Sequence, residues 1–150
     1  MKQNITRIAA LLLVCLCLFM TVGCQIGDST TTEGTTNGVA TGLWANAIYT
    51  EDTTLGEGAN TITVLVTAED KTVTFTIQTD AATLGEALYA LELINDPSFF
   101  DTCNGMVADW SRDNAYWCCY ADGVTMNHGV ADEEIAAGNT SVYELIYTKL

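Results

Sequence analysis

The stretch TITVLVTAEDKTVTFTIQ, residues 61–78, constrains the fold more than any other part of the chain. Ile62, Val64 and Val66 alternate with threonines and Leu65, and Val73, Phe75 and Ile77 alternate with Thr and Gln. Strict period-two patterning on both sides of the polar turn AEDK predicts a β-hairpin with one buried face. TLGEALYALELI then changes the period. Thr83 with Glu86 three residues on reads as a capping box, and Leu84, Ala87, Leu88, Leu91 and Ile94 keep helical spacing until NDP with Pro97. The segment FFDTCNGMVADW is expected to hold one strand, AYWCCY another, and SVYELIYT the last, with Val142, Glu144 and Ile146 opposite Tyr143, Leu145 and Tyr147. That last strand is the most apolar, so it is expected at the centre of the sheet. Hairpin, helix across one face, then further strands is the order of an α+β fold of β-grasp type.

The rest of the chain frames this domain. Lys2 and Arg7 precede the apolar run IAALLLVCLCLFMTV, which is short for a membrane span and reads as an export signal over residues 1–23. TVGC, ending at Cys24, resembles the lipobox of bacterial lipoproteins, in which the cysteine becomes the first, lipidated residue. Residues 24–42 are rich in Thr and Gly and poor in large apolar side chains, the composition of a flexible stalk. One domain, residues 43–150, remains. The expected location is the outer side of the cell membrane, held only through the lipid. The chain carries a formal charge of −14, and removing Lys2 and Arg7 makes it more acidic still. Such a surface repels phosphate backbones and excludes nucleic acid as a partner.

Larger stretches carry a resemblance. TEDTTLGEGANTITVLVTAEDKTVTFTIQTDAATLGEAL, DGVTMNHGVADEEIAAGN and the closing YELIYTK are similar to the transcobalamin-like C-terminal domain of bacterial surface proteins. The same domain closes intrinsic factor and transcobalamin, where YW, a glycine turn and GVAD recur in this order. The resemblance implies a β-grasp fold and a role as one of two jaws around cobalamin, the other jaw being helical and missing from this chain. By position it implies a ligand-facing region of Tyr116 and Trp117, the turn from Asp122 to Met126, and Gly129 to Asp132.

The residues give their own reading of that region. Strand AYWCCY rises into a turn at Asp122–Gly123, and VTMNHGVAD must return across the same end of the sheet. Val124, Thr125, Met126 and His128 are then expected near a rim, with Tyr116 and Met126 as apolar walls and Val130 following. Gly123 and Gly129 let backbone approach a ligand. His128 is the one imidazole available to a corrinoid cobalt, although a lone loop histidine is ordinarily solvated. Trp117 is expected in the core, and Tyr116 and Tyr120 partly exposed. Cys118 and Cys119 fall on opposite faces of a strand, so they neither ligate one metal together nor bond each other. No metal site is expected, since zinc-type spacing is missing. At least one of the two cysteines reads as a small buried hydrophobe. Cys103, brought back by a turn at ADWSRDN, is a candidate disulfide partner for Cys118 or Cys119. Asp109 and Asp113 read as turn formers.

Neither a catalytic triad nor a phosphate-binding glycine loop is present, so no enzymatic activity and no cofactor are expected. Two function classes follow. One is a surface module capturing a corrinoid or other small planar ligand and handing it to a membrane importer. The other is an adhesion module binding a protein or glycan.

Overall fold

The computed structural model describes residues 41–138 and 141–150. The proposed export signal, Cys24 and most of the Thr/Gly stretch lie outside them. The described part is an α+β domain whose six-stranded sheet runs in the order β1-β3-β2-β8-β6-β7. Its strands are β1 (Thr53–Gly56), β2 (Asn60–Ala68), β3 (Lys71–Thr79), β6 (Ala115–Ala121), β7 (Val124–Thr125) and β8 (Val142–Lys149). A separate two-stranded ribbon joins β4 (Thr102–Cys103) to β5 (Met106–Val107). The helices are α1 (Leu84–Ala90) and the single turn α2 (Trp110–Asp113), with short 3-10 turns at Gly42–Asn46 and Val130–Asp132.

The expected hairpin is β2 and β3, paired from Asn60↔Thr79 to Ala68↔Lys71. Its turn is tighter than AEDK suggested, because Ala68 and Lys71 already pair and Glu69 takes φ 55°. β8 lies between β2, to which it is parallel, and β6, to which it is antiparallel. The alternation works as read: Ile62, Val64, Val66, Val73, Phe75, Ile77, Tyr143 and Leu145 are at most 1 % exposed. They share the face on which α1 packs through Leu84, Ala87 and Leu88. Threonines, Leu65, Glu144 and Ile146 occupy the opposite face in adjacent rows. Trp44 closes one end of the core, its indole Nε1 donating to the Ala68 carbonyl at 2.9 Å with Lys71 Nζ 4.7 Å over the ring.

Two elements differ from expectation. The helix ends at Ala90 rather than near Ile94. Glu92 adopts φ 56°, its N–H donating to the Tyr89 carbonyl and that of Leu93 to the Leu88 carbonyl. This is a Schellman cap with a glutamate where glycine is usual, and the buried pair Leu88 and Leu93 supplies its apolar contact. At the other end Thr83 accepts from Glu86 N–H, while the Glu86 carboxylate accepts from Ala82, one residue before the position a capping box uses. The segment FFDTCNGMVADW holds not one strand but the β4–β5 ribbon, turning on Asn104 and Gly105 at φ 50° and 78°. Asn104 is fully buried. Its side chain accepts from Tyr49 N–H and donates to the Tyr49 carbonyl, and its backbone binds Leu93 and Ile48.

Candidate functional site

The hollow that gathers most of the candidate residues has a volume of about 300 Å³ and lies at the outer edge of β6. Tyr116, Trp117, Cys118 and Cys119 form its wall, Thr125 and Met126 its upper edge, His128, Gly129 and Val130 one side, and Ser98, Phe99 and Phe100 the other. Each side is fixed by local chemistry. After Pro97, the Asp96 carboxylate accepts the N–H groups of Ser98 (2.7 Å) and Phe99 (3.2 Å), turning the two phenylalanines over β6. Trp117 Nε1 donates to the Asp101 carbonyl at 3.1 Å and ties that loop to the strand. Opposite, Met126 N–H donates to the Cys119 carbonyl, after which the chain leaves the sheet. His128 is then held on both nitrogens, Nδ1 2.9 Å from Asn127 Oδ1 and Nε2 2.7 Å from Glu133 Oε2. The Glu133 carbonyl in turn accepts from Leu84 N–H, so the histidine loop is moored to the start of α1. Gly85 permits this mooring, since a Cβ there would sit 3.0 Å from the Ala131 backbone.

Of the residues singled out from sequence, Tyr116, Trp117, Thr125, Met126, His128, Gly129 and Val130 therefore meet around one hollow. Trp117 is buried and packs edge-on against Tyr147 at 5.7 Å, as its place in the core requires. Four others do not line it. Asp122 and Gly123 form the two-residue turn between β6 and β7, both at positive φ. The Asp122 carboxylate accepts from Val142 N–H (2.8 Å) and Ser141 Oγ (3.2 Å), which ties the turn to the start of β8 and not to a ligand. Val124 is 69 % exposed beyond the turn. Asp132 sits in the 3-10 turn, its N–H on the Gly129 carbonyl. Val130 reaches the hollow only as part of its floor, since it is buried against the core. The GVAD run is thus chiefly a pad for α1. His128 offers no free nitrogen.

Phe99 and Phe100 were missed because FF reads as the start of a strand. The signal that could have found them is NDPS, an aspartate followed two residues later by a capped N–H.

Among the described residues the cysteines Cys103, Cys118 and Cys119 are free thiols, so the expected Cys103 disulfide is not formed. Alternation puts Cys118 on the face opposite Cys119, opposite Ile146 on β8. Cys119 packs against the core, and burial together with Cys118 pushes its thiol up to about 12. Burial raises Cys103 further, with Cys119 adding to the effect. Tyr120 is also raised, first by its hydrogen bond to the Cys118 thiol. Asp109 and Asp113 behave as turn formers: Asp109 caps α2 by accepting Arg112 N–H at 3.0 Å, and Asp113 pairs with the Arg112 guanidinium at 2.7 Å.

Other hollows exist. One of about 510 Å³ lies under the end of α1, lined by Ile48, Tyr89, Glu92 and Ile94, and contains none of the ligand-site candidates read from sequence. Another, of about 430 Å³, adjoins the first along β6 and shares Phe99, Phe100, Tyr116 and Trp117 with it. Among the described residues, no group of three or more His, Cys, Asp or Glu is placed to hold a metal ion.

No protein-family model and no curated protein matches the chain. Among solved structures, it is similar to a crystal structure described as a "putative metal binding protein" from Ruminococcus gnavus ATCC 29149. The two share 27% sequence identity with a TM-score of 0.54, over 60% of this chain and 97% of the other.

Proposed function

We propose that this is a non-catalytic β-grasp module, exported and tethered through a lipid on Cys24, that captures a corrinoid or another small planar ligand for delivery to a membrane importer. The β-grasp reading draws on the order of the sheet: the first hairpin strand is parallel to the last strand, with one helix packed on the same face. The observation that carries the capture reading is the meeting of Tyr116, Trp117, Met126 and His128 with Phe99 and Phe100 around one hollow.

Its volume is at the small end of ligand pockets, far too small to enclose a macrocycle. Such a hollow grips one rim of a flat ligand, which suits a single jaw. Aromatic edges and a thioether supply adaptable apolar contacts there. His128, engaged by Asn127 and Glu133, would face the ligand as a ring edge and not as a cobalt ligand. The acidic surface favours a neutral or cationic ligand. The similar structure is named for metal binding, but the described residues provide no cluster of protein ligands, and a protein-held metal is not part of this reading.

Titrating cobalamin and cobinamide into the protein, followed by Trp fluorescence and calorimetry, tests the proposal. Saturable binding weakened at least about tenfold by the Met126→Ala, His128→Ala double variant is the expected outcome, a loss of about 1.4 kcal/mol. Binding that survives the double variant, or none at high micromolar ligand, overturns it. Fatty-acid labelling in a bacterial host that vanishes in Cys24→Ala checks the tether.

A further inference from the structure

The outer edge of β6 carries a backbone rung that β7 does not cover. The phase of the β6–β8 ladder is set at both ends: Leu150 N–H donates to the Asn114 carbonyl and Asp122 N–H to the Val142 carbonyl. In an antiparallel pair, alternate residues direct both backbone groups to the same neighbour. Even-numbered residues of β6 are therefore committed to β8, and odd-numbered ones face the other edge. Ala121 pairs there with Val124, and the Cys119 carbonyl receives Met126 N–H. Trp117 is the next rung, but the chain has already turned away through Asn127 and His128. Among the described residues, no backbone group meets the Trp117 N–H or carbonyl. These two groups are left over after the pairing of β6 with β7 and β8, and buried backbone groups are ordinarily paired.

We infer that this rung accepts an extended peptide segment as an added strand, antiparallel to β6 and continuing the line of β7. Strand addition combines main-chain hydrogen bonds with pockets for alternate side chains. Both are present. The hollows of about 300 and 430 Å³ adjoin along β6 and have Tyr116, Trp117, Phe99 and Phe100 in common. Phe99 is 84 % exposed and Trp110, stacked edge-on to Tyr116 at 6.2 Å, is 56 % exposed. These aromatics call for apolar side chains on the incoming strand. Charge selects the rest of its composition. Asp101 and Asp109 line one hollow, and Glu133 stands behind His128 at the other. Of the two nearby cations, Arg112 is already taken by Asp113 and Asp109, and Lys149, opposite Ala115 on β8, also acts on Asp113. The fitting partner is a segment alternating basic and apolar residues. This inference stands apart from the corrinoid reading, since it uses the strand's backbone and requires no planar ligand.

The test uses the full chain and the peptide acetyl-KVKVKV-amide, without any corrinoid present. Binding should slow hydrogen exchange of the Trp117 amide at least about tenfold, as expected of an amide newly engaged in a ladder. The same sequence with every amide N-methylated should bind at least about tenfold more weakly, because its donors are gone. Replacing lysine by glutamate should weaken binding to a similar degree at low salt and less at high salt. Unchanged exchange at Trp117, or equal binding of the N-methylated peptide, overturns strand addition. Equal binding of the glutamate peptide overturns the choice of a basic partner. Because the changes are in the peptide, no outcome is confused with misfolding of the protein.

Discussion

The hairpin with its helix and the segment from Asn95 to Asp132 are built on different principles. In β2, β3 and α1, backbone groups are satisfied inside ladders and helix turns, and side chains have only to keep a period. In the second segment no strand but β6 exceeds two residues, and side chains do the work of the missing ladders. Asp96 caps Ser98 and Phe99, Asn95 bridges Asp101 and Thr102, and Asn104 clasps Tyr49. Regular structure supplies the platform, while the walls of the hollow depend on individual polar ties. Part of the acidic composition thus has a job beyond solubility. Asp52 and Asp80 extend the same device to the hairpin's neighbours, accepting from Thr74 N–H and Ala59 N–H.

Leu88→Ala removes a fully buried side chain that both packs α1 on the sheet and closes its C-terminal cap. It should cost about 2–5 kcal/mol, read as a drop in midpoint on chemical denaturation. An unaltered midpoint would mean that α1 does not hold the core. Asn104→Ala leaves the Tyr49 N–H and carbonyl without their partner inside the protein and should cost about 1–3 kcal/mol. It should also loosen amide exchange in the ribbon and around Tyr49 more than in β2. Equal loosening everywhere would show that the two regions open as one. The smallest effect concerns the thiols. With its thiol raised from 9.0 to about 12, Cys119 should alkylate far more slowly than Cys118 at pH 8, and Cys103 only on unfolding. Because the folded state keeps these protons, the thiols' contribution to stability should be constant below pH 9 and fall as pH rises from about 9 toward 12. Even labelling of all three in the native protein would refute this.

Legibility followed the same division. Val64, Phe75, Leu88 and Leu145 were readable because burial repeats at a fixed interval, and the central place of β8 followed from its apolar character. The end of α1 was not, because Leu93 and Ile94 keep helical spacing after the backbone has turned at Glu92. In the site, Tyr116, Met126 and Gly129 were legible from the path of a strand, a DG turn and a return. The direction of the Asp122 carboxylate, toward Val142 and Ser141, was not, nor was the folding of Phe99 and Phe100 over the same edge. The first is set by hydrogen bonds between residues distant in sequence and the second by an aspartate turn. Such ties have no period.

The position of β8 also governs when the domain can form. β2 and β6 never touch as neighbours; Val142–Lys149 joins them, pairing Thr63 with Val142 and Ala115 with Lys149. Until those residues leave the ribosome, the earlier hairpin faces a gap, and loop closure across roughly 80 residues cannot begin to be rewarded. An isolated hairpin is marginal in water. Closure of the sheet therefore waits on β8. For a protein threaded unfolded through a membrane, as proposed here, that delay keeps it fit for passage and reserves assembly for the far side.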